Sequence, residues 1–93
     1  MQLTTIRTSD LVSQYRPGSY GDNWTWENEC RELNDDPATS SIERRCLTEG
    51  WGFADNTHPV ILGYDGRVWD GHHRICLALR HGVPTLRVFV VPT

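Results

Sequence analysis

The sequence contains no lysine. All nine of its basic residues are arginine, set against twelve acids, so the formal net charge is −3. Gripping duplex DNA rests on many cationic phosphate contacts, and a net-negative chain of 93 residues is poorly equipped for it. General duplex-DNA binding is therefore not expected, and sequence-specific DNA binding is not expected either. No apolar run approaches the ~20 residues of a membrane span, and the N-terminus lacks the apolar core of a signal peptide. Cysteine is scarce too: Cys30, Cys46 and Cys76 form no C-x-x-C pair and leave one residue over. They read as reduced, buried thiols, and the expected location is the cytoplasm. Internal repeats and low-complexity segments are missing. The all-arginine usage fits a GC-rich genome, with a selected preference for bidentate contacts as the other reading.

What is present makes one domain over residues 1–93. A chain this short buries about two-thirds of its unfolded surface, and four Trp, three Tyr and two Phe are enough for one small core. Charge is unevenly placed. Residues 22–36 hold six acids (Asp22, Glu27, Glu29, Glu32, Asp35 and Asp36) against Arg31, whereas residues 67–93 hold four arginines against Asp70.

The chain is organised around residues 64–79, YDGRVWDGHHRICLAL. Asp65-Gly66 lies between two β-like runs, 60–62 and 67–69, and predicts a hairpin with a two-residue type I′ turn. Asp70 falls where a helix N-cap belongs. Ile75, Ala78 and Leu79 carry the helical spacing of 71–81, Gly82 stops it and Pro84 follows. The free N–H groups of Gly71, His72 and His73 form an anion-attracting end, Gly71 allows close approach to the backbone, and Arg74 can add a forked guanidinium. The competing reading is a well-capped helix whose Gly71 serves packing, with solvated histidines.

Asp70-Gly71-His72-His73-Arg74 followed by Ala78, Gly82 and the apolar 86–91 resembles the ParB N-terminal-like domain, which shares a fold with sulfiredoxin. The resemblance covers residues 59–91 and, more loosely, 3–12. It implies a small α+β (α/β) fold in which a short mixed sheet carries packed helices. It further implies a nucleoside triphosphate, with or without Mg²⁺, held by its phosphates at Asp70, Gly71, His72, His73 and Arg74. The chain looks like the short stand-alone members encoded by phages of GC-rich bacteria. His72 stands where sulfiredoxin-type sequences carry their reactive cysteine and many ParB-like ones an acid, so sulfiredoxin activity is not expected and metal-assisted triphosphate hydrolysis is in doubt. Glu27-Asn28-Glu29-Cys30-Arg31 matches the family's E-N-x-x-R letters but lies upstream of the helix, and reads as coincidence. The family's DNA-binding and dimerisation domains have no counterpart.

Elsewhere pattern alone speaks. Residues 3–7 alternate as a first strand. Thr8, Ser9 and Asp10 cap a short helix over 11–15, and 16–23 is a Gly/Pro/Ser/Tyr loop. Residues 20–53 form a divergent, acidic, Trp-rich helical insert. In it Trp26, Cys30 and Leu33 mark one face of a helix over 25–33, Asn34-Asp35-Asp36-Pro37 breaks it, and Ser40 or Ser41 caps a second helix over 42–49. The final strand, 85–91, is apolar enough to be central.

Two functions compete. One is the phosphate-ligand site just described. The other is a non-catalytic interaction protein that binds and inhibits or redirects a host protein, with Trp24, Trp26, Trp51 and Phe53 as anchors; packing beneath the loops is the alternative for those rings. A ParB-like nuclease is third, with His72 or His73 as base and Arg74 as phosphate clamp. A metal site is not expected, because His58, His72, His73 and Asp70 offer no i, i+4 ligand pair.

Overall fold

In the computed structural model, which describes residues 2–93, the chain runs β1 (Thr4–Arg7), α1 (Thr8–Gln14), α2 (Trp26–Asn34), α3 (Pro37–Glu49), β2 (Val60–Leu62), β3 (Val68–Asp70), α4 (His72–His81) and β4 (Thr85–Val90). The four strands form one mixed sheet in the order β1-β4-β2-β3. β4 is antiparallel to β1 and parallel to β2, and β2 is antiparallel to β3. The domain is thus α+β, and the apolar last strand is central, as its composition implies. Among the described residues no helix is long and apolar enough to cross a membrane.

Burial follows the two-residue alternation of the pleat. Leu86 and Val88 of β4, Val60 and Leu62 of β2 and Val68 of β3 point to one face, where Leu11 of α1 and Ile75 and Ala78 of α4 close the core. Fully buried aliphatic side chains of this size contribute about 1.5–3 kcal/mol each. Trp26 and Trp51 pack against the edge of this core.

Several local expectations are corrected. Thr8 does not cap α1 but is its first residue, and its hydroxyl donates to the Val83 carbonyl at 2.7 Å, pinning the helix to the α4–β4 connection. Helix α3 starts at Pro37 rather than near Ser41. Asp36 is its N-cap, accepting from the Ala38 N–H at 2.9 Å, and Pro37 occupies the first turn, where its missing N–H costs nothing. The hairpin does not use a type I′ turn, which needs φ > 0 at both central residues. Of Asp65 and Gly66 only Gly66 has it (φ +80°), no non-glycine residue does among the described residues, and the turn closes from Gly66 N–H to Gly63 O at 3.4 Å. Asp70 remains in β3, and Gly71 is the N-cap of α4 with φ +96°.

The largest correction concerns the thiols. Cys30 of α2 and Cys76 of α4 form a disulfide with their Cα atoms 5.2 Å apart, while Cys46 stays free and buried on α3. The apolar face of α2 packs on α4, which brings the two sulfurs together across 46 residues of sequence. The cytoplasmic reading rested on three free thiols, and with two of them paired that argument falls away.

Candidate functional site

A cavity of about 670 Å³ opens where the N-terminal turn of α4 faces α2, α3 and the segment that follows α3. Asp70, Gly71, His72, His73 and Arg74 all border it. The fold therefore gathers the five residues singled out by the motif at one hollow. Gly71, the N-cap, has no side chain to cap α4, so the first-turn N–H groups from His72 onward retain the partial positive charge of an unsatisfied helix end, whereas the Gly71 N–H expected to be free is taken by Asp70.

Each of the five has a structural partner as well. Asp70 Oδ1 accepts from the Gly71 N–H at 2.8 Å, holding a carboxylate beside the helix end. Gly71 serves packing: a Cβ there would lie 2.7 Å from Val60 Cγ2 and 2.9 Å from its Cα, and its φ of +96° already disfavours any L side chain. His72 Nε2 lies 2.5 Å from the Pro17 carbonyl oxygen. A carbonyl can only accept, so that nitrogen carries its proton and cannot serve as a base. His73 Nε2 is 3.3 Å from Asp36 Oδ2, the same carboxylate whose other oxygen caps α3.

Arg74 is the clearest departure from the expectation of an available guanidinium. It is 5% exposed; its Nη1 donates to Asp55 Oδ1 at 2.9 Å and its Nη2 to the His58 carbonyl at 2.6 Å. Buried charge demands such partners. Arg74 thus fastens the segment after α3 to α4, and a ligand meets it only at the cavity wall.

Three contributors escaped the sequence reading. Glu29 of α2 is 3% exposed and borders the cavity; its two oxygens accept from Ser19 Oγ at 2.7 Å and Trp24 Nε1 at 2.8 Å, tying the 19–24 loop to the mouth. Arg45 of α3 stacks over the Phe53 ring at 4.4 Å and pairs with Glu49 at 2.8 Å, a contact that raises its pKa and places a cation on the cavity rim. Asp55 has no periodic signal around it. Only for Glu29 was there a hint, since an acid three residues after Trp26 falls on the inward side of α2.

The aromatic residues proposed as anchors have intramolecular work. Trp24 donates to Glu29, Trp26 Nε1 donates to the Tyr15 carbonyl at 2.7 Å, Trp51 packs on His81 with ring centroids 5.4 Å apart, and Phe53 lies under Arg45. None of the four is among the large exposed hydrophobic residues. Cys46 lies in the protein interior, where burial pushes its thiol pKa up, and it is unsuited to nucleophilic attack. Among the described residues no group of three or more His, Cys, Asp or Glu is placed to share a metal ion.

No protein-family model matches this chain, and neither the curated proteins nor the solved structures contain a match to it.

Proposed function

We propose that this protein is a ParB/sulfiredoxin-like domain that binds a phosphate-bearing small ligand of nucleotide size in the cavity at the start of α4, without turning it over. The observation that carries the proposal is the coincidence of an uncapped helix N-terminus with a hollow of about 670 Å³, inside the ~300–1,000 Å³ range of small-molecule sites. The N–H groups of the first turn would take the phosphate. Leu33, Ile42 and Phe53 offer apolar surface for a base or sugar, with Arg45 at the rim.

The side chains of the site speak against turnover. His72 and Arg74 are engaged through their polar ends, and Asp70 and Glu29 add negative charge that a polyphosphate must tolerate. Binding through backbone dipoles is compatible with that wall; a preorganised cationic clamp for a transition state is not among its features.

The test is a titration with CTP and ATP, each with and without Mg²⁺, followed by thermal melting and calorimetry. A ligand at ~100 times its Kd adds about 2.7 kcal/mol, a rise of several degrees for a domain of this size. Ile42→Trp fills the apolar half of the cavity and should abolish the rise while leaving the ligand-free Tm in place. Flat melts and flat heats with all four ligands would reject the reading.

A further inference from the structure

We infer that the open face of the sheet is a docking surface for an acidic segment of another protein, in which two carboxylates two residues apart meet Arg7 and Arg87 and a neighbouring apolar side chain rests on Ile61 and Phe89.

The helices whose side chains complete the core, α1 and α4, cover one face of the sheet. Residues of the other face follow from the register. Thr5 pairs with Arg87, Arg7 with Thr85 and Ile61 with Phe89, all out of phase with the core-facing Leu86, Val88, Val60 and Leu62. Ile61 and Phe89 are half-buried yet belong to neither the core nor the set packed against it, while Thr5, Arg7, Thr85 and Arg87 are exposed. Ile61 and Phe89 thus offer partly accessible apolar surface on the same face as two exposed arginines.

Charge complementarity identifies the occupant. Six of the nine arginines (Arg16, Arg31, Arg45, Arg67, Arg74 and Arg80) are in ion pairs. Among the described residues Arg7, Arg44 and Arg87 have none, and two of these three share this face. They are diagonal neighbours across the β1–β4 ladder, a relationship that sets them about 7–8 Å apart. In an extended polypeptide, side chains two residues apart project to one side at about 6.7 Å. A Glu-x-Glu or Asp-x-Glu pattern therefore matches the arginine pair, and Arg suits it through bidentate contact with carboxylate.

A single-stranded nucleic acid fits less well. It needs free aromatic faces on which bases stack. The exposed aromatic residues Tyr64 and Trp69 lie at the β3 edge, at the opposite side of the sheet from β1 and Arg7; there the indole lies against Gly63, where a Cβ would overlap it, its ring abuts Tyr64 at 5.1 Å and 78°, and its Nε1 donates to Asp65 at 3.1 Å. A short acidic segment with its own apolar anchor needs no stacking platform.

The test uses the full-length protein, isotope-labelled, titrated with a random copolymer of glutamate and tyrosine and, separately, with a fifteen-residue oligothymidylate. Chemical-shift changes with the copolymer should cluster on Thr5, Arg7, Ile61, Arg87 and Phe89. The double variant Arg7→Glu/Arg87→Glu, whose side chains are exposed and outside the core, should weaken binding about tenfold or more, and Arg44→Glu should leave it unchanged. Circular dichroism confirms that both variants are folded. Equal weakening by Arg44→Glu, shifts centred elsewhere, tighter binding of the oligothymidylate, or concentration-dependent self-association through this face would each overturn the inference. Oligothymidylate counts against the inference only where its shifts fall on this face; shifts confined to residues 70–74 report on the α4 cavity, so the two readings fail separately.

Discussion

Arg74 and Asp55 form an ion pair at 2.9 Å with side-chain exposures of 6% and 13%. Removing one member of such a pair strands the other charge in the interior, a loss of about 3–5 kcal/mol. Arg74→Ala and Asp55→Ala should each lower Tm by on the order of 15 °C, measured by calorimetry. Replacing both by apolar residues of similar size, Arg74→Met with Asp55→Leu, should recover most of the loss. Additive losses in the double variant would show that the pair is not coupled. It follows that Arg74→Ala cannot report on ligand binding alone.

Gly71 tests the same helix end from the backbone side. Its φ of +96° and the proximity of Val60 make any side chain there both strained and crowded. Gly71→Ala should destabilise by about 2–4 kcal/mol, read from denaturant midpoints. Pairing it with Val60→Ala should relieve the steric part and leave the backbone part. A neutral Gly71→Ala would mean that this end of α4 tolerates rearrangement, and the geometry proposed for the anion site would fail with it.

How much of this was legible in the sequence depends on the range of the interaction involved. The central position of β4, the stop at Gly82 and the inward face of α2 follow from local pattern and turn chemistry, and the structure agrees. Asp70 and Pro37 misled because one residue can play two local parts. An acid before a helix is also a good last strand residue, and a proline after an acid starts a helix as readily as it ends one. The partners of Arg74, Glu29 and Cys30 were out of reach. They come from segments with no periodicity or from positions 19, 10 and 46 residues away, brought close only by packing. The cavity is of that kind: its motif residues were visible as a group, but what occupies their polar ends was not.

The Cys30–Cys76 bridge makes a chemical count. Without reductant, the denatured protein should show one reactive thiol, from Cys46, and three after reduction. Closing a 46-residue separation stabilises by about 4 kcal/mol in the chain-entropy account, so reduction or Cys30→Ser/Cys76→Ser should shift the guanidinium midpoint down accordingly. In the native oxidised protein Cys46 should alkylate slowly, because burial raises its pKa and blocks access. Three thiols titrating before reduction would remove the bridge from the fold.

At the other end of α4, Glu43 of α3 accepts from His81 Nε2 at 2.7 Å and Arg80 Nη1 at 3.0 Å, and Arg80 also reaches Asn34 of α2, so the Arg80 guanidinium links three helices. The hydrogen bonds from His81 and then Arg80 lower the Glu43 pKa below its ordinary 4.5, and Arg45 does the same for Glu49. A carboxyl whose folded pKa is depressed stabilises the fold above its unfolded value, and the contribution disappears as pH falls through the folded value. The stability these two groups supply should therefore be flat from neutral pH down to about 5 and decline below 4.5. Glu43→Gln should flatten part of that acid limb and leave Glu49's part, as read from urea midpoints between pH 3 and 7. Because both carboxylates are solvent-accessible, added salt should shrink the slope. A Glu43→Gln variant with the wild-type acid limb would show that the α3–α4 clasp contributes nothing through its charge.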